Sequence, residues 1–270
     1  MTYPSSLYSE LATAAADWRY RPAAELLAGR NILVTGAGDG IGATLARTAA
    51  CFGANVVLLG RTREKLETVF DWIESHTETQ PVIVPCDLKT LDAAQVEALA
   101  DNIRETYGVL HGLVHNASLL GPKVPLVHYP VEQWYDVMQV NANAPFVLTR
   151  GLFDLLDESQ DARVVFVSST VGREGRAYWG AYSASKFALE GLSQILADET
   201  EVAGHIRVFS LNPGGTRTRM RREAYPMEEP MDVPPAEQHM DLFLHLLGDV
   251  PTSLPATGTQ LDARSWQYPA

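Results

Sequence analysis

A glycine-rich turn between an apolar run and a helical segment is the feature that most restricts the possible folds of this chain. The run Asn31–Thr35 predicts a buried strand, the letters G-A-G-D-G-I-G follow at residues 36–42, and residues 43–52 have helical periodicity. In such a turn, glycine lets the backbone approach a pyrophosphate while the N-terminus of the helix offers unpaired N–H groups to the anion. By itself the turn predicts a strand–turn–helix unit, which either binds a dinucleotide or only reverses the chain.

Strand-like and helix-like segments alternate along the rest of the chain. Further strands are predicted at residues 55–59, 81–85, 110–115, 164–167 and 206–211, and further helices at residues 64–74, 91–107, 131–156 and 182–202. Apolar strands without alternation are typical of a parallel sheet covered by helices on both faces. We therefore predict a three-layer α/β fold with a helical extension at residues 1–29, a single domain at residues 30–270 and a lid at about residues 217–235.

A tyrosine and a lysine four residues apart mark a candidate reaction centre. Tyr182 and Lys186 lie in a segment with helical periodicity and share one helix face, and Ser169 stands thirteen residues before the tyrosine. A free phenol loses its proton near pH 10, and lowering that pKa to about 7 takes roughly 4 kcal/mol of preferential stabilisation of the phenolate. A neighbouring ammonium has the right sign for this effect. A lone pair of this kind also occurs on solvated helix faces, so its meaning depends on the other motifs.

Composition and charge exclude several classes of partner. The formal net charge of −12 and the pI of about 5.0 argue against nucleic acid or an anionic membrane as partners. Cys51 and Cys86 form no C-x-x-C pair, and the seven histidines show no ligand spacing, so neither a disulfide framework nor a metal site is predicted. No apolar run has the length of a membrane span and the N-terminus lacks a signal-peptide pattern, so we expect a cytoplasmic protein.

Taken together and in this order, the motifs resemble those of the short-chain dehydrogenases/reductases. The matching segments are T-G-x-x-x-G-I-G at residues 35–42, N-A at 116–117, the serine, tyrosine and lysine at 169, 182 and 186, and N-P-G-G-T at 212–216. The resemblance covers about residues 29–261 and implies a doubly wound Rossmann fold with a central, mostly seven-stranded parallel sheet. Several stretches, including D-V-M-Q-V-N at residues 136–141, look like the bacterial YciK-type oxidoreductases.

The resemblance implies four catalytic residues. Tyr182 matches the general acid and base, and Lys186 matches the lysine that lowers the tyrosine pKa and hydrogen-bonds the nicotinamide ribose. Ser169 matches the serine that donates to the substrate oxygen, with the adjacent Ser168 as the alternative. Asn141 matches the asparagine that holds a water in a proton relay to the lysine, whereas Asn143 is expected to be structural.

The resemblance also implies a set of cofactor-binding residues. The segment after the fourth strand steadies the sheet and contacts the cofactor, although Ser118 replaces its usual glycine. Asp87 and Leu88 match the pair that brackets the adenine, and Thr216 matches the threonine that caps the nicotinamide amide or a phosphate. The implied set is Gly36, Asp39, Gly40, Ile41, Gly42, Arg61, Asp87, Leu88, Asn116, Ala117, Tyr182, Lys186, Pro213, Gly214 and Thr216.

The end of the second strand decides between the two nicotinamide cofactors. An acidic residue there would hydrogen-bond the ribose hydroxyls and repel a 2′-phosphate, whereas a basic residue would accept the phosphate. Gly60 stands where NAD users carry aspartate and Arg61 follows, which favours NADP(H); a merely solvated Arg61 is the alternative. Asp39 occupies a turn position where many NADP users have a basic residue, so NAD(H) stays possible.

Two further features bear on the substrate. The lid carries arginines at positions 217, 219, 221 and 222, which form either a solvated face or a surface that holds cofactor phosphate or an anionic substrate. Trp179 and the pair Leu119-Leu120 either line an apolar substrate pocket or pack in the ordinary way.

We predict reversible hydride transfer between C4 of a nicotinamide and a small-molecule carbonyl or secondary alcohol whose identity the sequence does not specify. The alternative is a catalytically silent regulatory protein of the same fold, although such a protein would need no proton donor. Extended relatives that act as epimerases or dehydratases have a larger substrate domain than the 54 residues after Thr216 could form. The resemblance also implies a homodimer or homotetramer, formed through the helices at residues 131–156 and 182–202.

Overall fold

A parallel β-sheet lies at the centre of the protein. The computed structural model describes residues 3–4, 6–248 and 253–268, and within these residues the sheet has seven strands. The strands are β1 (Asn31–Thr35), β2 (Asn55–Gly60), β3 (Val82–Pro85), β4 (Gly112–His115), β5 (Ala162–Val167), β6 (Ile206–Asn212) and β7 (Gln260–Asp262). Their order is β3-β2-β1-β4-β5-β6-β7, and all neighbours run parallel.

Helices cover both faces of this sheet. They are α1 (Ser9–Ala16), α2 (Gly40–Cys51), α3 (Arg63–His76), α4 (Ala93–Tyr107), α5 (Val131–Met138), α6 (Ala144–Gly151), α7 (Phe153–Glu158), α8 (Gly180–Thr200), α9 (Arg219–Ala224) and α10 (Met240–Gly248). Ile32 and Val34 pack in a core with α2, α3 and α10, while Leu33 packs in a second core with α4, α6 and α8. Successive residues of one strand therefore face opposite layers, which confirms the predicted doubly wound fold.

The strand order reverses at the middle of the sheet, between β1 and β4. Both strands are fully buried and pair directly, and β2 lies on the other side of β1. In sheets of this kind the connections leave in opposite directions at the reversal and open a crevice at the carboxyl ends of the strands. None of the described helices combines the length and the apolar character that a bilayer crossing requires.

The helix predicted at residues 131–156 is not continuous. It consists of α5, a π-helical turn at Gln139–Asn143, then α6 and α7, which are separated at Leu152. The π turn contains Asn141, whose side chain bonds outside the helix, and Pro145 has no N–H for the ladder that follows. Because a π turn inserts one residue without ending the helix, the apolar periodicity still resembled that of a single helix.

The N-terminal extension packs against the main domain. Its α-helix is confined to Ser9–Ala16, and residues 1, 2 and 5 lie outside the described residues. Leu11, Trp18 and Leu27 are buried in the core that also contains α2 and α10. Trp18 Nε1 donates to the Glu237 carbonyl oxygen at 2.9 Å, so the extension is tied to the segment that follows the lid.

Candidate active site

A cleft of about 520 Å³ opens at the carboxyl ends of the strands. The turns after β1 to β6 and the lid helix α9 form its walls, as a doubly wound fold leads one to expect. The predicted site residues that line it are Gly36, Asp39, Gly40, Ile41, Arg61, Asp87, Leu88, Asn116, Ala117, Ser169, Tyr182, Lys186, Pro213, Gly214 and Thr216. Gly42 and Asn141, which were also predicted, do not line the cleft.

The glycine turn after β1 leaves no room for side chains. Gly36 has a φ of 69° and Gly40 a φ of 52°, values that favour glycine. A Cβ on Gly36 would lie 3.0 Å from Ala117 Cα, and a Cβ on Gly42 would overlap the Gly36 carbonyl oxygen. Gly42 therefore allows α2 to approach the turn, whereas Gly36 and Gly40 expose backbone to the cleft. Such a cradle at a helix N-terminus fits the pyrophosphate of a dinucleotide.

Thr35 at the end of β1 holds the segment after β4 in place. Its Oγ1 accepts from the backbone N–H groups of Asn116 and Ala117, both at 3.0 Å, and Asn116 Nδ2 donates to the Thr35 carbonyl oxygen at 2.9 Å. The two strands that meet at the reversal are thus joined at the cleft. Ser118 causes no strain in place of the usual glycine, because it is not one of the non-glycine residues with positive φ in the described chain.

An ion pair between Asp39 and Lys65 occupies the far end of the cleft. Lys65 lies in the first turn of α3, and its Nζ bonds Asp39 Oδ2. This bond holds the pKa of the Asp39 carboxyl below its ordinary value. Arg61 is exposed and lines the same end. Lys65 was missed in the sequence, and its position four residues after Arg61 at the start of a helix is the signal that could have indicated it.

The two candidate serines after β5 have different partners. Ser168 Oγ donates to the buried carboxylate of Glu190 at 2.5 Å, and Glu190 also accepts from Ser210 and Arg173. The Ser168 hydroxyl therefore belongs to a buried network. Ser169 lines the cleft, and its hydroxyl lies close enough to the Tyr182 phenol to lower the pKa of that group, which favours Ser169 as the residue that meets a substrate.

Tyr182 and Lys186 are both buried on one face of α8, but their electrostatics differ from the expectation. Burial raises the pKa of the Tyr182 phenol to about 12, and the hydroxyls of Ser169 and Ser118 act in the opposite direction. Burial also lowers the pKa of Lys186 to about 8. Lys186 Nζ donates to the Val167 carbonyl oxygen at 2.7 Å and lies 5.6 Å from the centroid of the tyrosine ring. Desolvation thus dominates the pKa of the phenol in the chain by itself, and the lowering of that pKa by Lys186 stays a prediction.

Asn141 lies behind the cleft, in the π turn. Its Oδ1 accepts from the Leu119 backbone N–H at 2.7 Å, and its Nδ2 donates to the Leu119 carbonyl oxygen at 2.9 Å and to Ser185 Oγ at 3.0 Å. Both amide hydrogens are used, so the side chain fixes the loop after β4 against α8. Asn143 is exposed and its Nδ2 donates to Gln139 Oε1 at 3.0 Å, away from the cleft.

Three of the four lid arginines are engaged within the lid. Arg219 pairs with Glu223 at 2.9 Å, Arg221 pairs with Glu228 at 2.5 Å, and Arg217 donates to two backbone carbonyls. The two carboxylates balance the charges of Arg219 and Arg221 locally. These contacts favour a structural role for the arginine run over the binding of an anionic substrate.

Apolar side chains surround Tyr182 on the substrate side of the cleft. Trp179 lies 5.7 Å from Tyr182 between ring centroids, and both belong to a cluster with Val171 and Ala224. Leu120 and Met220 pack against this cluster and line the cleft. Lys123 lies outside it: its Nζ donates to the Ala224 carbonyl oxygen at 2.7 Å and covers the Trp179 ring at 4.8 Å.

Known proteins share this architecture. Residues 30–229 match the family model for short chain dehydrogenases. Oxidoreductase YciK of Escherichia coli K12 is 47% identical over 250 residues, which span 93% of this chain and 98% of that protein. A short chain dehydrogenase from Shigella flexneri 2a in complex with NADP is 47% identical with a TM-score of 0.86, over 90% of this chain and 100% of that one. One from Escherichia coli CFT073 in complex with NADPH is 48% identical with a TM-score of 0.86, over 90% and 100%. The predicted resemblance is confirmed.

Proposed function

Because this chain belongs to the short-chain dehydrogenase/reductase family of oxidoreductases, we propose that it transfers a hydride between NADP(H) and a carbonyl or secondary alcohol. The observation that carries the proposal is that Ser169, Tyr182 and Lys186 line the same cleft as the glycine turn. A proton donor and a dinucleotide cradle thus share one space. A regulatory protein of the same fold would have no use for a buried phenol at that place.

The preference for NADP(H) rests on the far end of the cleft. Arg61 and Lys65 both line it, and together they would hold a 2′-phosphate by charge-assisted hydrogen bonds. Lys65 also offsets the charge of Asp39, the residue whose position had argued for NAD(H). The NADP and NADPH complexes of relatives from Shigella flexneri and Escherichia coli support the assignment. When bound, this cofactor supplies or accepts the hydride.

The protein residues handle the proton and the substrate oxygen. In reduction, Tyr182 gives its proton to the carbonyl oxygen, and in the reverse reaction it takes the proton back. Ser169 donates a hydrogen bond to the same oxygen and stabilises the charge that develops on it. Lys186 supplies a cation beside the phenol and would bond the nicotinamide ribose of the cofactor. Asn141 fixes the loop that borders this centre and supports the proton relay.

The walls around Tyr182 favour an uncharged substrate with an apolar body. Trp179, Leu120 and Met220 present apolar surface there, and arginines 217, 219 and 221 of the lid are engaged with lid carboxylates and carbonyls. A carboxylate buried at this end would lose its hydration, and these three described arginines already have other partners. We expect neutral alicyclic or aromatic ketones to be better substrates than 3-oxo acids of similar size, as initial rates with matched pairs would show.

The helices α5, α6 and α8 support the proposed homodimer or homotetramer. They expose large apolar side chains, among them Tyr135, Phe146, Phe187 and Ile195, which are 62%, 52%, 45% and 57% exposed. Apolar surface of this kind is usual for a subunit interface. Light scattering of the purified protein should give a mass of at least two chains, and a monomeric mass at micromolar concentration would refute this assembly.

Calorimetric titration with NADPH and with NADH is the first test of the function, together with a panel of carbonyl compounds followed by cofactor absorbance. We expect tighter binding of NADPH, weaker NADPH binding in Arg61→Ala, and loss of turnover in Tyr182→Phe. Tyr182→Phe is a matched control for binding because it removes one oxygen and keeps the ring.

Each result bears on a different part of the proposal. A preference for NADH would refute the role given to Arg61. Tight NADPH binding without turnover across a broad panel would favour the regulatory alternative. Full turnover in Tyr182→Phe would show that another group donates the proton.

A further inference from the structure

Ser118 carries a hydroxyl at a position where this fold usually has glycine, and that hydroxyl has no hydrogen-bond partner among the described residues. The residue stands where the family pattern leads one to expect glycine, directly after Asn116 and Ala117. Its Oγ is shielded from solvent and has no hydrogen-bond partner among the described residues. Ser118 nevertheless lines the cleft beside Tyr182 and Ser169.

A buried hydroxyl without a partner destabilises a folded protein. Nothing in the backbone demands serine here, since Ser118 has no positive φ and alanine would fit the same conformation. Unpaired buried polar groups are uncommon in native proteins, and functional sites are where they are retained. The orphaned Oγ therefore points to a partner that arrives with the reaction.

The neighbours of Ser118 hold it rigidly at the cleft. The Ala117 N–H donates to Thr35 Oγ1 at 3.0 Å, and the Leu119 N–H donates to Asn141 Oδ1 at 2.7 Å. The backbone is thus anchored on both sides of the serine, to the end of β1 and to the π turn. The hydroxyl also lies close enough to the phenol to lower the pKa of Tyr182, although it is not in hydrogen-bonding geometry with any described group.

We propose that Ser118 is a second serine donor of the reaction centre, which hydrogen-bonds the substrate oxygen together with Tyr182 and Ser169. This inference rests on the proposed oxidoreductase function. In reduction the hydride goes to the carbonyl carbon and the Tyr182 proton to the carbonyl oxygen, while Ser118 keeps its proton throughout. Its role is to stabilise the negative charge that develops on the oxygen before the proton arrives.

The chain offers a matched control for removing this hydroxyl. Ser193 on α8 also has a buried Oγ without a hydrogen-bond partner among the described residues, but it does not line the cleft. Ser118→Ala and Ser193→Ala therefore each delete a shielded hydroxyl without a partner among the described residues, one at the cleft and one away from it. Each change should raise the melting temperature, by about 2–4 °C.

Steady-state kinetics with NADPH and the best carbonyl of the panel then separate the two variants. We expect Ser118→Ala to lower kcat/KM by about 10-fold to 100-fold, mostly in kcat, with NADPH affinity within about twofold of wild type. The pH dependence of kcat/KM should also change in Ser118→Ala. Ser193→Ala should keep wild-type kinetics and the wild-type pH profile.

Three outcomes would overturn the inference. Unchanged kcat/KM in Ser118→Ala, with turnover in the wild type, refutes the role of Ser118 and leaves the proposed function intact. A loss of NADPH affinity with unchanged kcat would assign the hydroxyl to the cofactor instead. An absence of turnover in the wild type on every carbonyl would refute the proposed function, and the Ser118 donor with it.

Discussion

Leu11 in the N-terminal extension offers a quantitative test of how that extension contributes to the fold. Its side chain is completely buried in the core that contains α2 and α10. Leu11→Ala removes three carbons, and at about 0.8 kcal/mol per buried methylene this loses roughly 2.4 kcal/mol of transfer free energy. The cavity that remains adds to this cost, so we expect a total of about 3 kcal/mol, within the range of about 2–5 kcal/mol for such substitutions.

Thermal unfolding followed by circular dichroism measures this effect. For a chain of this size, about 3 kcal/mol corresponds to a fall in Tm of about 6–12 °C. Thr13→Ala is the matched control, because Thr13 is on the same helix and exposed. The control should change the free energy of unfolding by less than about 0.5 kcal/mol.

The result that would refute the reasoning is an unchanged Tm in Leu11→Ala. It would mean that α1 is not packed against the main domain in solution and that residues 1–29 contribute little to its core.

A second expected outcome concerns the segment that follows the lid. Trp18 bonds the Glu237 carbonyl oxygen just beyond it, so Trp18→Phe should make the segment at residues 236–239 exchange its amide hydrogens faster.

Two further predictions concern the cleft. Lys65→Met should weaken NADPH binding by about 10-fold to 100-fold in calorimetry, because a charge-assisted bond to phosphate is lost and Asp39 becomes unpaired. Adding Asp39→Asn to the same chain should restore part of the affinity. Unchanged NADPH binding in Lys65→Met would mean that Lys65 only forms the ion pair with Asp39. The kcat/KM of NADPH-dependent reduction should fall above about pH 8, because Lys186 loses its proton there. Alcohol oxidation should become faster as the pH rises through neutrality, because the Tyr182 phenol loses its proton more readily. A reduction rate that rises above pH 8 would contradict this prediction.

The fold was largely predictable because its signals are local. Each buried strand is an apolar run, and the turn at Gly36 and Gly40 needs glycine for its φ values. The π turn was not predictable in this way. Asn141 bonds Leu119 and Ser185, which are distant in sequence, and these bonds rather than any helical period define the turn.

The residues of the candidate site could be predicted from the sequence, but the side chains that they contact could not. The spacing to Tyr182 favoured Ser169 over the adjacent Ser168, but the buried carboxylate of Glu190 that engages Ser168 was not visible in the sequence. The ion pair of Asp39 with Lys65 depends on how α3 lies against the glycine turn, and a Cβ on Gly38 would come within 3.0 Å of Lys65 Cβ. Spacing along one helix revealed Tyr182 and Lys186, but contacts between segments determine what each group does.

The raised pKa of Tyr182 bears on the direction of the proposed reaction. With a pKa of about 12, the phenol is protonated at pH 7 and ready to act as the acid in reduction. To act as the base in oxidation it must first lose that proton, which at pH 7 costs roughly 7 kcal/mol. Burial therefore favours the general acid over the general base. A group that enters the cleft and stabilises the phenolate, as a cation would, lowers this pKa and assists the proposed oxidation. The environment of Tyr182 alone therefore favours the protonated phenol that the proposed reduction requires.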